Sequence, residues 1–469
     1  MEATKTPPAS AAGPTAATPA AKLASGGPGV ASSAGTSPPA AMPAANAVAT
    51  AAADGSSPTA AALTSATHST DQPPHKPASE IITAMLQAAP KTSDLIFSPG
   101  RAPQVELNGK LMQLKIEGVG MLSSEDTARL AGDLIGRNLH AVAKLKDEGS
   151  CDISYSVPKL ARFRANIFTQ RGSCAIVMRV IPSSVPDFKM LNLPLALADA
   201  AEVRPGIVLV TGPTGSGKSS TLAALVNKIN EEKACHVITI EDPIEFLHGH
   251  KRATIHQREL YSDTPSFALA LRAALRQAPK LILVGEMRDK ETIECALEAS
   301  ETGHLVYSTL HTIDASKTIE RIVGVFPASD QPAVRGRLSK SFRYIISQRL
   351  IPKKGGAGRV AAFEILKSSI RTREYVQKGE SEGKSLLDAM RDGSNEGMQC
   401  FDIEIEKLIR AEVIDIDTGL AYATNEGNLR LNLADLLESS RQDDSIPSLA
   451  SAPIGGPMKL PGSDEVIER

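Results

Sequence analysis

Tryptophan is absent from this 469-residue sequence, and aromatic residues make up only 3% of it. Because hydrophobic residues still reach 42%, we expect a core built mainly from aliphatic side chains. The formal net charge is only −2, so no overall charge attracts the chain to nucleic acid or to an anionic membrane. No apolar run approaches the roughly 18 residues that indicate a transmembrane helix.

The five cysteines lie far apart and form no CxxC pair. This spacing argues against a sequence-encoded zinc site and indicates a reducing compartment. The first residues, Met1–Lys5, lack the basic stretch and the apolar core of a secretory signal. We therefore predict a soluble, cytoplasmic protein without a transmembrane segment, whose length suggests about two to three folded domains.

Both ends of the chain have the composition of unstructured segments. Residues 1–78 are rich in alanine, proline, serine, threonine and glycine. Frequent prolines oppose a helix and no large side chains supply a core, so we predict a disordered arm. It is interpreted either as a solvated spacer or as a tether that recruits a partner. Residues 440–469 are again rich in serine, proline and glycine and are predicted to form a flexible tail.

A small α+β domain is predicted over residues 79–187, followed by a proline-punctuated linker over residues 188–204. Asn108-Gly109 is typical of the turn of a β-hairpin. The elements predicted here are a helix near 81–86, a strand at 93–97, a hairpin at 105–111, a helix at 124–134 and strands at 163–168 and 175–180.

A larger α/β domain is predicted over residues 205–439. Short apolar strands alternate with helical segments, which indicates a mostly parallel sheet covered by helices on both faces. After Arg359 the chain is expected to be helical. The predicted strands are 208–211, 237–240, 281–284 and 305–310.

The segment Gly212–Ser219 has the sequence Gly-Pro-Thr-Gly-Ser-Gly-Lys-Ser, the signature of a phosphate-binding loop. It follows the apolar stretch 206–211 and precedes a helix-like pattern, so the strand–loop–helix context is present. Backbone N–H groups of such a loop and the positive end of the helix bind phosphate. We predict ATP or GTP binding, with Lys218 on the β- and γ-phosphates and the Ser219 hydroxyl on Mg²⁺. The predicted nucleotide-binding residues are Gly212, Pro213, Thr214, Gly215, Ser216, Gly217, Lys218, Ser219 and Ser220.

Two acidic clusters stand at the ends of predicted strands. The first contains Glu241, Asp242 and Glu245, and in the second the apolar stretch 281–284 ends in Gly-Glu at Glu286. Nucleotide hydrolysis needs one carboxylate to orient or deprotonate water and another to hold the magnesium shell. Beside a phosphate-binding loop, these positions predict catalytic carboxylates.

Histidines and arginines supply further candidates. His304 and His311 flank the strand 305–310 and are interpreted either as structural residues or as contacts to a γ-phosphate or a neighbouring subunit. Arginines concentrate in the small domain, where they either face solvent or RNA or neutralise transition-state charge as arginine fingers. Few aromatic residues accompany them, so we predict no nucleic-acid partner. The arginines in question are Arg162, Arg164, Arg171 and Arg179.

Together, these ordered motifs resemble the secretion-type ATPases of the type IV pilus, and specifically the retraction branch that includes PilT and PilU. The resemblance runs from about Ser79 to Leu437. The matching segments are 211–219 (Walker A), 241–246 (Asp box), 284–289 (Walker B), 301–312 (His box), 257–259 and 397–399.

The resemblance implies a RecA-like ATPase domain preceded by a PAS-like domain. It also implies a homo-hexameric ring that uses ATP and Mg²⁺ and works on an inner-membrane pilus protein from the cytoplasmic side. By position, Glu245 becomes the catalytic glutamate and Glu286 the Walker B carboxylate, which holds Mg²⁺ through water. The other implied catalytic residues are Lys218, His304, His311, Arg162, Arg164 and Arg179, with the choice among the arginines left open.

The branch within this family is predicted from departures. Assembly-type relatives carry paired CxxC motifs, which this chain lacks. The retraction segment of PilT corresponds here to Ser369–Val376, which keeps only its opening, whereas segments 275–279, 378–380 and 427–431 look like PilU. The phosphate-binding loop itself looks like that of PilT, and on balance we predict a PilU-like chain. The hypotheses are therefore a motor that powers pilus retraction, a PilU-type accessory subunit of a second retraction ATPase, and a motor of a related secretion system.

Overall fold

The computed structural model describes residues 76–182, 184–202, 204–356 and 358–443. The predicted arm up to residue 75 and the predicted tail from residue 444 lie outside the described residues. Within the described ranges the chain has a mixed α/β fold with two separate sheets. None of the helices in these ranges has the length and apolar character needed to cross a membrane.

The first sheet consists of six strands, and every pair of neighbours is antiparallel. The strands are β1 (Asp94–Phe97), β2 (Gln104–Leu107), β3 (Lys110–Gln113), β4 (Ser150–Val157), β5 (Ala161–Gln170) and β6 (Ser173–Ile181). Their order across the sheet is β3-β2-β1-β6-β5-β4. The helices that share its core are α1 (Ala78–Ala88), α2 (Ser124–Ile135) and α3 (Leu139–Glu148).

Local sequence explains these elements. Asn108 and Gly109 have φ of 52° and 75° and join β2 to β3, so the predicted hairpin is confirmed. The Ser123 hydroxyl accepts a hydrogen bond from the Asp126 amide, and the Asp126 carboxylate accepts one from the Ser123 amide. This capping box starts the predicted helix α2. Helix α3 and strand β4 were not predicted.

The second sheet consists of seven strands. They are β7 (Gly206–Thr211), β8 (His236–Glu241), β9 (Thr254–Glu259), β10 (Leu281–Val284), β11 (Leu305–Leu310), β12 (Phe342–Pro352) and β13 (Arg359–Lys367). Their order is β13-β12-β7-β11-β10-β8-β9, and only the β12–β13 pair is antiparallel. The four predicted strands correspond to β7, β8, β10 and β11. All six residues of β7 are buried, in keeping with a central strand covered on both faces.

Helices cover both faces of this sheet, as predicted. Alternate residues of β7 face different cores: Ile207 and Leu209 belong to one, and Val208 and Val210 to the other. The helices are α4 (Lys218–Glu232), α5 (Phe267–Ala274), α6 (Lys290–Glu301), α7 (Ala315–Gly324), α8 (Gln331–Ser341), α9 (Ile370–Lys378), α10 (Leu386–Asp392), α11 (Phe401–Arg410), α12 (Ile416–Tyr422), α13 (Glu426–Asn432) and α14 (Ala434–Asp443).

The prediction that the chain is helical from Arg359 onward is wrong for its first nine residues, because they form β13. Strand β13 pairs along its whole length with β12, from Pro352–Arg359 to Tyr344–Lys367. Two alanines and the buried Glu364 interrupt its apolar pattern, and pairing with β12 overrides the weak strand propensity of alanine. Helices follow from Ile370.

The segment predicted as a linker, residues 188–204, packs against the second sheet. It contains a 3-10 helix, Leu195–Ala201, whose Leu197 is fully buried. The Tyr307 hydroxyl of β11 donates a hydrogen bond of 2.5 Å to the carbonyl of Ala200. Part of this segment therefore belongs to the core of the second sheet.

Candidate functional site

The glycine-rich loop Gly212–Gly217 joins the buried strand β7 to helix α4. Gly212 has φ of 145°, and a Cβ atom there would lie 2.4 Å from the Gln348 carbonyl oxygen. Gly217 has φ of 90°, and its added Cβ would lie 2.9 Å from the Gln348 side-chain amide. Both positions need glycine, because the loop curls tightly against β12.

Lys218 is the first residue of α4, and its side chain folds back under the loop. Its Nζ donates hydrogen bonds to the carbonyls of Gly212 (2.9 Å) and Pro213 (3.0 Å). Burial lowers the pKa of Lys218, while Glu245 and Glu286 act in the opposite direction. The two predicted catalytic carboxylates therefore lie near enough to this ammonium group to stabilise its charge.

The loop opens into a cleft of about 660 Å³. Because the carboxyl ends of the parallel strands β7, β8, β10 and β11 meet at one edge, residues far apart in sequence converge there. The predicted site residues that line the cleft are Arg164, Thr214, Gly215, Gly217, Lys218, Ser219, Ser220, Glu245, Glu286 and His311. Of the remaining predicted loop residues, Ser216 has a buried hydroxyl without a hydrogen-bond partner in the described part of the chain.

Glu241 ends β8, Asp242 follows it, and both line the cleft together with Glu245. Glu241 accepts hydrogen bonds from the Thr239 hydroxyl (2.6 Å) and the Gln257 amide (3.0 Å). Burial raises the pKa of Glu241, and these two hydrogen bonds oppose the rise. Burial, and then the neighbouring Glu286, also raise the pKa of Asp242. Arg164 and Arg288 lower the pKa of Asp242, so two arginines of the cleft partly offset the repulsion among these acidic groups.

His311 follows β11 and faces the loop. Its Nε2 lies 3.6 Å from a Glu286 oxygen, and its Nδ1 lies 3.4 Å from the Thr214 hydroxyl. Burial and then Lys218 lower the pKa of His311, so the neutral imidazole is favoured. This location suits a group that contacts a bound phosphate.

His304 is not in the cleft. Its Nδ1 contacts the Ala299 carbonyl at 3.0 Å, and it precedes β11 at the opposite edge of the sheet from His311. The structure therefore does not bring His304 together with the predicted catalytic residues of the cleft in this chain. The reason is that His304 and His311 flank a six-residue strand and therefore lie at its opposite ends.

The three candidate arginines have three different surroundings. Arg164 lines the cleft. Arg162 instead forms an ion pair of 2.6 Å with Glu259, and Arg179 forms one of 3.0 Å with Asp94. Only Arg164 of the three therefore lines the cleft in this arrangement of the described residues.

Sequence reasoning missed two arginines that line the cleft, Arg288 and Arg359. Arg288 forms an ion pair of 2.6 Å with Glu286, two residues earlier in the chain, and this spacing was visible in the Walker B segment. Arg359 begins β13, and its place in the cleft depends on a strand that the sequence pattern did not predict.

The donor set of the cleft is compatible with Mg²⁺. The hydroxyl of Ser219 and the carboxylate of Glu286 are hard oxygen ligands, which this ion prefers. No cluster of three or more histidine, cysteine, aspartate or glutamate side chains suited to a metal occurs among the described residues. Mg²⁺ bound to a triphosphate needs no such cluster, because one or two protein oxygens, the phosphates and water complete its shell.

A buried polar network lies beneath the loop. The Thr211 hydroxyl, at the end of β7, donates to Ser347 at 3.1 Å, and Ser347 donates to Glu364 at 3.1 Å. Glu364 also accepts the Ala315 amide at 2.8 Å, at the start of α7. Burial raises the pKa of Glu364 to about 7. The network ties three strands and one helix together directly below the phosphate-binding loop.

We expect the free energy of unfolding to decrease less with rising pH in Glu364→Gln than in wild type. The folded-state pKa of about 7 lies above the ordinary 4.5, so between these values only the native state holds the proton. The contribution of this group is present below the unfolded pKa and is lost as the pH rises through the folded pKa, by roughly 3 kcal/mol. Chemical denaturation at about pH 5 and pH 8 measures the difference.

Glu320→Gln, at an exposed position on α7, is the matched control and should keep the wild-type pH dependence. An equal slope in wild type and Glu364→Gln would contradict the assignment of this proton to Glu364.

Comparison with known proteins identifies the family of this chain. Residues 137–412 match the sequence model of the type II/IV secretion system proteins. This chain belongs to that family. The match covers the second sheet and every residue that lines the cleft.

Curated relatives narrow the family to its PilT/PilU-type ATPases. The chain is 42% identical to the type IV pilus retraction ATPase PilT of Pseudomonas aeruginosa over 335 residues, which is 71% of this chain and 95% of PilT. It is 35% identical to the type IV pilus ATPase PilU of the same organism over 357 residues, 76% of this chain and 91% of PilU. Identity to PilT exceeds identity to PilU, so the predicted resemblance to PilU in particular is not confirmed.

Two solved structures have the same mixed α/β fold. The pilus retraction motor PilT with bound ADP superimposes with a TM-score of 0.66 at 40% identity, covering 76% of this chain and 99% of that chain. The ATPase DotB of Legionella pneumophila gives a TM-score of 0.65 at 29% identity, covering 78% of this chain and 98% of that chain.

Proposed function

We propose that this protein is an ATP-hydrolysing motor of the type IV pilus machinery that powers pilus retraction and twitching motility. The observation that carries the proposal is the convergence of Lys218, Glu245 and Glu286 on one cleft beside a phosphate-binding loop. Two relatives are named for the same activity: PilT of Pseudomonas aeruginosa and a twitching motility protein of Neisseria gonorrhoeae, which is 42% identical over 327 residues.

The predicted site residues that line the cleft have proposed roles in the reaction. Lys218 and the loop amides bind the β- and γ-phosphates, and Glu245 orients and deprotonates the attacking water. His311 contacts the γ-phosphate as a neutral imidazole, and Arg164 brings positive charge from the first sheet. Ser219 would bind Mg²⁺ and Glu286 would hold its water shell, and the bound ion would neutralise phosphate charge.

The larger architecture is also proposed by analogy with the family. The second sheet and its helices correspond to a RecA-like domain, and the first sheet with α1–α3 to a PAS-like domain. Six copies form a homo-hexameric ring that acts at the cytoplasmic face of the inner membrane, on the platform protein of the pilus. Assembly into a ring brings charges from a neighbouring copy to the open side of the cleft.

The second candidate is an accessory subunit that binds a partner retraction ATPase and does not need its own hydrolysis. The altered segment Ser369–Val376 favours it, because this segment keeps only the opening of the PilT retraction motif. In the structure Ile370, at the start of α9, is 86% exposed and available to a partner. A motor of a related secretion system is the third candidate, because residues 137–412 match the type II/IV secretion system proteins.

A strain that produces Lys218→Ala from the native locus, beside an intact partner retraction ATPase, separates the first two candidates. We expect loss of twitching, because the variant binds ATP weakly and does not hydrolyse it. The control is an otherwise identical strain that produces Lys228→Ala. Lys228 lies on the same helix as Lys218 and pairs with Glu232 at the surface. Normal twitching in the Lys218→Ala strain would favour the accessory subunit over the motor.

A further inference from the structure

Glu259 connects the two sheets through one carboxylate oxygen. It is the last residue of the edge strand β9, and its side chain is only 4% exposed. Its Oε2 accepts hydrogen bonds from Arg162 Nη2 at 2.6 Å, from the Ser154 hydroxyl at 2.8 Å and from the Ile244 amide at 3.1 Å. Two of these donors belong to the first sheet, and the third belongs to the loop that follows β8.

The amide donor makes this contact relevant to the proposed chemistry. Ile244 immediately precedes Glu245, so a hydrogen bond that fixes its backbone also fixes where the Glu245 side chain begins. The geometry points to Glu259 as a positioning residue that holds the Asp242–Glu245 loop in place while Arg162 is docked. This inference rests on the proposed function, because it assigns Glu245 to the reaction.

Burial explains why docking and loop position are linked. A carboxylate as buried as that of Glu259 needs a countercharge, and Arg162 supplies it. If the first sheet moves away, the uncompensated charge turns toward water and the Ile244 amide loses its acceptor. The loop that carries Glu245 is then free to leave its position in the cleft.

A second contact joins the domain of the first sheet to the segment that follows β9. The ring of Tyr261, two residues beyond Glu259, stacks on His140 of α3 with centroids 4.5 Å apart and planes 9° from parallel. The docking surface therefore consists of Glu259 and Tyr261 on one side and of Arg162, Ser154 and His140 on the other.

Two arginines of strand β5 have different contacts. Arg162 and Arg164 are two residues apart and lie on the same face of the strand. Arg162 is held by Glu259 and also donates to the Ser156 hydroxyl at 3.2 Å, whereas Arg164 lines the cleft. Docking through Arg162 thus brings Arg164 to the cleft at the same moment as it orders the Glu245 loop.

Kinetics of the purified full-length chain test the inference. We expect Glu259→Gln and Arg162→Ala each to lower kcat for ATP hydrolysis about 10- to 100-fold, because small displacements of a catalytic group are costly. The Kd for ATP should change less than about twofold, since neither residue holds the loop that binds phosphate, and Arg162→Lys should recover most of kcat. The control Glu291→Gln, which removes an ion pair with Arg272 between α5 and α6, should leave kcat unchanged.

The double variant Arg162→Ala/Glu259→Gln is the decisive member of the set. If both residues act through one contact, its kcat will be no lower than that of the slower single variant. If instead the two losses multiply, Arg162 acts on the phosphates independently of Glu259, and the inference is overturned.

A fluorescence readout reports docking without reference to activity. The sequence has no tryptophan, so Tyr261→Trp introduces a single probe at the stack with His140. We expect Arg162→Ala and Glu259→Gln to shift its emission to longer wavelength, because a ring that is half-exposed in the stack loses His140 and becomes more hydrated, and Glu291→Gln to leave it unchanged. Unchanged emission in all variants overturns the docking role. A wild-type protein without ATPase activity would instead overturn the proposed function, and the probe would still test the contact.

Discussion

Replacing Glu245 by glutamine is expected to lower kcat for ATP hydrolysis by about 10²- to 10⁴-fold, the range that a positioned general base contributes. The amide has nearly the same size as the carboxylate but cannot accept a proton from water. Glu245 lines the cleft together with Lys218, and its charge favours the protonated form of that lysine. Removing this negative charge also lessens its repulsion of the triphosphate, so affinity for ATP should remain or rise slightly. Steady-state turnover together with calorimetric titration of ATP measures both quantities.

The matched control for this variant is Glu232→Gln, on the last turn of α4, where the carboxylate pairs with Lys228 at the surface. Its kcat should equal that of wild type. A Glu245→Gln enzyme that retains more than about a tenth of wild-type kcat would exclude Glu245 as the base.

Replacing Lys218 by alanine is expected to weaken ATP binding by roughly 10²-fold and to bring turnover below detection. Hydrogen bonds to charged groups contribute about 1.5–3 kcal/mol each, and the ammonium group reaches two phosphates in the proposed complex. The fold should tolerate the change. Burial already disfavours the charge of Lys218, so its removal relieves a desolvation cost while two loop carbonyls lose a donor.

Titration of a fluorescent ATP analogue and thermal unfolding of the same samples separate lost binding from lost structure. Lys228→Ala provides the comparison, since Lys228 lies on the same helix and its pairing with Glu232 is worth only a few tenths of a kcal/mol. Wild-type affinity in Lys218→Ala would show that the loop binds nucleotide without its lysine and would exclude the assigned role.

The convergence of Lys218, Glu286 and His311 could be predicted from the sequence because each follows a strand with a clear apolar pattern. Once the strands are parallel neighbours, their carboxyl ends must share one edge. The same pattern could not separate His311 from His304, because a histidine before a strand and one after it look alike until the direction of the strand is considered.

Contacts that depend on how the two sheets pack could not be predicted. Arg162 and Glu259 are 97 positions apart, and Glu259 ends an edge strand whose mixture of polar side chains has no clear period. The three arginines looked equivalent in sequence, and only the packing of β5 against the second sheet gives them different partners. Strand β13 escaped prediction for a related reason, since its buried Glu364 is satisfied by residues from β12 and α7.

The most direct test of the account is an experimental structure of the full chain with Mg²⁺ and a non-hydrolysable ATP analogue. The account predicts a γ-phosphate within hydrogen-bonding distance of Lys218 Nζ and a water molecule between that phosphate and the Glu245 carboxylate. A triphosphate bound outside the cleft, or a Glu245 side chain turned away from the γ-phosphate, would contradict it.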